Sequence, residues 1–239
     1  MLFAAYLEPG EELPGPGFDL VLDLRRVVRD RWDYMLPLVY PDDVEQAVAI
    51  RLPMPGSVPG VSRLLDLIDY LGVSSVILTM PRDHDLMVRA MDEAAQHGVS
   101  ITWYLKDPLR YSPPDVFPHP MSVAFSIPSL GSMKALAKFT LLNQSSIKYM
   151  LAYNVDGDRG GLPLLGGGSM DYLSIIKLLS MIGYEGYMVL LYDKPHRGRY
   201  WSDLNALQTY RDSLGGALAD KRLVKLLSSA LGEVFGDVK

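Results

Sequence analysis

The chain has 239 residues, 49% of them hydrophobic and 21% charged, with a net charge of −5 and no cysteine. That length and apolar content suit a single domain with a large core, and the missing thiols exclude disulfides, thiolate catalysis and cysteine-based zinc sites. The acidic balance argues against a broadly basic nucleic-acid surface. No apolar run approaches a membrane span, and the N-terminus lacks a charged stretch followed by a cleavable apolar segment; a cytoplasmic protein with no membrane partner is expected.

Leu2–Leu7 reads as a first strand, ended by Glu8 and a proline–glycine loop, and Leu20–Leu24 as a second that finishes near Asp23. The link between them is too short and too rich in breakers for a full helix, so the first crossover helix is short or missing. Arg25–Leu36 reads as a helix whose charges, Arg25, Arg26, Arg29, Asp30 and Arg31, form a solvated face. Ala47–Leu52 is a third strand, closed by the loop PMPGSVPG. A helix over Ser62–Leu71 carries Leu64, Leu65, Ile68 and Leu71 on one stripe. Ser74–Met80 is the fourth strand, Asp83–His97 a helix stopped by Gly98, and Ser100–Leu105 the fifth strand. Proline-rich Lys106–Pro120 is a loop. Met121–Ile127 is the sixth strand and Ser132–Leu142 the helix after it.

The densest signal lies between Ile147 and Asp193. Tyr149–Val155 is the seventh strand, in an apolar run suited to burial on both faces. A glycine- and aspartate-rich loop runs from Asp156 to Gly168, and Ser169 and Asp171 offer capping oxygens to a helix. That helix places Tyr172, Ile175, Ile176, Leu179 and Ile182 on one stripe and ends at Gly183, before an eighth strand at Tyr187–Tyr192. Helices at Asn205–Leu214 and Lys221–Phe235 follow, the last an addition to the repeating pattern. Eight strands alternating with helices predict an α/β fold, a (β/α)8 barrel spanning residues 1–239 as one domain. An open doubly wound sheet is the alternative.

The segment LPLLGGGSMDYLSIIKLLSMIGYEGYMVL also carries a resemblance, at Leu165–Gly166, Asp171–Tyr172, Gly183–Tyr184 and Gly186. It resembles the closing segment of the xylose isomerase-like TIM-barrel superfamily, which includes sugar phosphate isomerases and epimerases and endonuclease IV-like proteins. The resemblance implies a TIM barrel and a divalent metal held by Glu, Asp and His at several strand ends. At those positions this chain differs: Tyr104 stands on the fifth strand where a glutamate is common, and Ser126 and Ser129 replace an Asp and a His on the sixth. On the seventh, YNVD keeps Asp156 but has Tyr153 for the histidine, and Leu191 ends the eighth. A degenerate metal site is therefore expected, with no metal and no other cofactor.

In such a barrel the site lies where strands end and loops begin. The strand ends include Glu8, Asp23, Arg51, Arg82, Ser126 and Asp193 among many polar residues. From them, Asp156, Lys106 and His84 are the candidate acid–base residues. Tyr104, Tyr153 and Asn154 are candidate substrate contacts. An anion site is expected where Gly166, Gly167 and Gly168 precede a helix start beside Lys194, His196, Arg197 and Arg199. The expected function is binding of a small molecule, a phosphorylated sugar or similar anionic metabolite, without metal chemistry. The alternative is an active metal-independent isomerase, epimerase or lyase. Endonuclease IV-like processing is disfavoured because it needs a metal cluster, and no nucleic-acid partner is expected.

Overall fold

A computed structural model describes residues 1–9, 11, 18–26, 47–111, 121–214 and 220–236. The helix expected at Arg25–Leu36 falls outside these residues beyond Arg26, as do most of the first crossover and of the proline-rich loop.

Eight strands form a closed barrel: β1 (Leu2–Leu7), β2 (Asp19–Asp23), β3 (Ala47–Leu52), β4 (Ser75–Thr79), β5 (Ser100–Leu105), β6 (Ser122–Ser126), β7 (Ile147–Ala152) and, after a short hairpin, β10 (Tyr187–Leu190). They run parallel and follow chain order around the ring, β10 closing onto β1. Their apolar runs are buried along nearly the whole length, as strands covered on both faces require. The chain has the (β/α)8 fold, with strand ends within about two residues of the sequence reading except at β7.

There Val155 does not belong to the barrel. Asn154–Asp156 (β8) turns back at Gly157, whose φ is +56°, and pairs antiparallel with Arg159–Leu162 (β9). The expected loop is therefore partly a hairpin, bent at an Asp-Gly step that suits a tight turn.

The residues fall into two compact units. In the one spanning Ala5–Lys106, α1 (Val58–Leu71) begins four residues earlier than its stripe suggests, because Pro59 sits in the first turn, where no N–H is needed. Leu64, Leu65, Ile68 and Leu71 are buried as expected. The helix stops at Gly72, φ +68°. Asp83 caps α2 (His84–Gln96), accepting from the Asp85 and Leu86 N–H groups. At the other end His97 Nδ1 lies 2.6 Å from Asp69 Oδ2, a carboxylate of α1.

The other unit holds α3 (Met133–Asn143), β7 to β10, α4 (Tyr172–Ile182), α5 (Tyr200–Ser213) and α6 (Lys221–Phe235). Asp171 caps α4, whereas Ser169 Oγ donates to the Val155 carbonyl and takes no part in the cap. Lys194–Arg199, expected as a loop, is a 3₁₀ turn that runs into α5. That helix starts five residues before its expected beginning at Asn205, because Tyr200 buries its ring against Tyr192, with centroids 4.7 Å apart. Lys134 and Lys138 of α3 pair with Glu233 of α6.

Candidate functional site

The Ala5–Lys106 unit collects a polar network at the C-terminal ends of β1, β2, β3 and β5. Asp23, the last residue of β2, is buried and takes two bonds from the Arg25 guanidinium, from Nε and from one terminal nitrogen, both at 2.9 Å. Its carboxylate also accepts the Arg25 backbone N–H at 3.0 Å. The Tyr6 hydroxyl receives Arg25 at 3.2 Å and Arg51 at 3.1 Å, and is itself hydrogen-bonded to Asp23. A phenol that accepts from two guanidinium groups still has its proton to give, and the carboxylate takes it. Arg51, 5% exposed, lies over the Tyr104 ring at 4.1 Å and within 5.9 Å of the Tyr6 ring.

The electrostatics follow from this geometry. Burial alone raises the pKa of Asp23, but hydrogen bonds from Arg25 and Tyr6, with the charge of Arg25, hold it below the ordinary carboxylate value. Burial pushes the Tyr6 phenol well up despite Arg51 nearby, so Tyr6 stays neutral and keeps its donor proton. The network is thus a charged carboxylate, a neutral phenol and two guanidinium groups. Farther out, Arg26 pairs with Glu8 at 3.0 Å.

Beside the network opens a cavity of about 810 Å³, lined on its polar side by Arg25, Arg26, Arg82 and Lys106. Its remaining wall includes Met54, Met80, proline side chains and Leu86. Size and lining suit a small molecule with an anionic group.

In the other unit several of the residues expected to contact a ligand or anion, Asn154, Gly168, Arg197 and Arg199, are engaged with the protein. Asn154 is buried, and its amide oxygen accepts from the Val155 and Met170 N–H groups at 3.0 and 2.9 Å. Its nitrogen donates to the Met170 carbonyl at 3.1 Å. Ser169 N–H donates to the Val155 carbonyl. Gly168, with φ +104°, packs so closely that a Cβ there would lie 2.6 Å from Asn154 Oδ1. The two expected loops do meet: Arg199 donates to the Leu165 carbonyl at 2.8 Å and to Asp203 at 3.2 Å. Arg197 Nε donates to the Tyr192 carbonyl at 3.1 Å. Lys194 is exposed and His196 half-buried.

The remaining sequence candidates are dispersed. Lys106 lines the cavity, and Tyr104 supports Arg51. His84 is an exposed first residue of α2, and the neighbouring Asp83 carboxylate is committed to the helix N–H groups. Asp156 is exposed beside the hairpin turn, opposite Arg159, in the other unit. Tyr153 is fixed by its backbone, which both donates to and accepts from the Tyr172 hydroxyl. Of the positions where the resemblance suggests metal ligands, Ser126 is buried at the end of β6, Ser129 donates to the Ser126 carbonyl and Leu191 is half-buried. Among the described residues no three His, Asp or Glu side chains converge to hold a metal ion.

Tyr6 and Arg25 were not among the sequence candidates. Tyr6 sits inside an apolar strand and reads as core, and Arg25 was assigned to a solvated helix face. That assignment is corrected for Arg25, which is paired with the buried Asp23, whereas Arg26 is solvent-exposed as expected and pairs with Glu8 at the surface. An Asp closing a strand two residues before an Arg was the available signal.

No protein-family model matches the chain, and no curated protein does. Among solved structures it superposes on a D-tagatose 3-epimerase-like protein with a TM-score of 0.56 at 16% identity, covering 92% of this chain and 100% of that one. An AP endonuclease of family 2 from Brucella melitensis gives 0.59 at 16% identity, over 89% of this chain and 100% of that one. A sugar phosphate isomerase/epimerase from Parabacteroides distasonis gives 0.54 at 14%, over 91% and 95%. The shared feature is the fold, an eight-stranded parallel barrel.

Proposed function

We propose that this barrel binds a sugar phosphate or similar anionic metabolite without the metal chemistry to which its resemblance points. The observation that carries the reading is the Tyr6–Asp23–Arg25–Arg51 network at the strand ends, with Tyr104 beneath Arg51. A divalent ion needs several uncommitted carboxylate or imidazole ligands. Here the buried carboxylate is already paired with a guanidinium and hydrogen-bonded by a phenol, and the adjoining cavity is lined by cations. The cations attract and orient an anion, while the network holds Arg25 at the cavity wall. The substituted positions Tyr104, Ser126, Tyr153 and Leu191 agree with the same reading.

The test is thermal unfolding in EDTA at low ionic strength with matched phosphorylated and unphosphorylated sugars. A sugar phosphate raises the melting temperature and the parent sugar does not. Stabilisation that requires an added divalent metal contradicts the reading.

A further inference from the structure

The cations around the cavity are not equivalent. Asp23 neutralises Arg25 through a bidentate pair, and Glu8 neutralises Arg26. Arg82 and Lys106 line the same cavity and have no hydrogen bond or ion pair within the described residues. Asp83, the one carboxylate of the lining among the described residues, is turned to the N–H groups of Asp85 and Leu86. It stays next to Arg82 without bonding it.

Topology explains why the two cations share a wall. Strands β4 and β5 pair in register, Thr79 opposite Tyr104, and Met80 N–H continues the ladder to the Tyr104 carbonyl at 3.1 Å. Arg82 and Lys106 therefore leave neighbouring strands at nearly the same level. One presents a planar fork and the other a compact point charge, a combination suited to a tetrahedral oxyanion. Two exposed like charges on adjacent strand ends repel each other, and an anion between them relieves that repulsion.

We propose that Arg82 and Lys106 form the phosphate subsite of this cavity, and that the ligand is a small phosphorylated molecule with its body along the Met54–Met80 side. This rests on the metal-free anion-binding reading above and adds where the phosphate sits, moving it away from Gly166–Gly168 and the Lys194–Arg199 turn. Arg25, paired with Asp23, also lines the cavity but contributes no net charge to the subsite. The affinity rises from pH 5 to 7.5, because a phosphate monoester gains its second charge near pH 6, and falls with salt as the attraction is screened.

The experiment is calorimetric titration of the full chain in EDTA with inorganic phosphate and, separately, with a sugar phosphate. Wild type is compared with Arg82→Gln/Lys106→Gln and with Lys194→Gln/His196→Gln. The first pair weakens both ligands at least about tenfold, the loss expected of one or more charge-assisted bonds, and leaves the unliganded melting temperature near wild type. The second pair changes neither. If Arg82→Gln/Lys106→Gln binds like wild type, or only Lys194→Gln/His196→Gln loses binding, the subsite is elsewhere and metal-free anion binding still stands. If wild type binds neither phosphate nor the sugar phosphate, the reading of the cavity falls as well.

Discussion

Replacing Asp23 with asparagine tests the strand-end network at its centre. The substitution keeps shape and one acceptor oxygen, but removes the charge that meets Arg25 through two bonds of 2.9 Å. Breaking a fully buried ion pair costs about 3–5 kcal/mol, while an exposed pair is worth at most about 1 kcal/mol. Asp23 is 5% exposed and Arg25 39%, so water recovers part of the arginine's solvation and the expected loss is about 2 kcal/mol. For a chain of this length that lowers the melting temperature by roughly 4–8 °C. The pH dependence gives the sharper result. Asp23 has a depressed pKa in the fold, so its stabilisation is complete above the unfolded value of about 3.9 and disappears as pH falls through the folded value. The gap between the urea midpoints of wild type and Asp23→Asn, measured from pH 7 to pH 3, therefore narrows below about pH 4. Equal midpoints at pH 7, or a gap that persists undiminished in acid, would refute the argument.

Tyr104→Leu removes the ring beneath the buried Arg51 guanidinium and lowers stability by about 1–2 kcal/mol, with Tyr104→Phe losing less; chemical denaturation separates the two. Asn154→Ala leaves the Val155 and Met170 N–H groups without their acceptor and costs about 3 kcal/mol, read as a fall in the urea midpoint. Gly168→Ala combines a positive φ with a Cβ 2.6 Å from Asn154 Oδ1, and destabilises by about 2 kcal/mol or more in the same assay.

The barrel was legible because its strands are mostly apolar and its helices carry clean stripes. Leu64, Leu65, Ile68 and Leu71 mark one of these, and Tyr172, Ile175, Ile176 and Leu179 another, all buried. The hairpin after β7 was hidden because uncharged Asn154 and apolar Val155 extend the run without a charge or a breaker, so only the Asp156–Gly157 step signals a turn. Element starts at prolines and aromatics were also obscure. Pro59 extends α1 backward, and Tyr200 starts α5 by stacking on a ring distant from the helix pattern. The polar network escaped for a different reason. Its partners come from separate strands, and pairings such as Tyr6 with Arg51, 45 positions apart, arise only when the strands are side by side. Periodicity records which face a residue occupies and is silent about which charge it meets there.

The central proposal is that the barrel binds an anion and holds no divalent metal at Tyr104, Ser126, Tyr153, Asp156 and Leu191, where the resemblance places ligands. It is tested most directly by loading the purified chain with zinc, manganese or magnesium, desalting it, and measuring bound metal by elemental analysis. The account predicts less than one equivalent retained for each ion, unchanged by Asp156→Ala. One equivalent of any of them, lost when Asp156 is replaced, would contradict it.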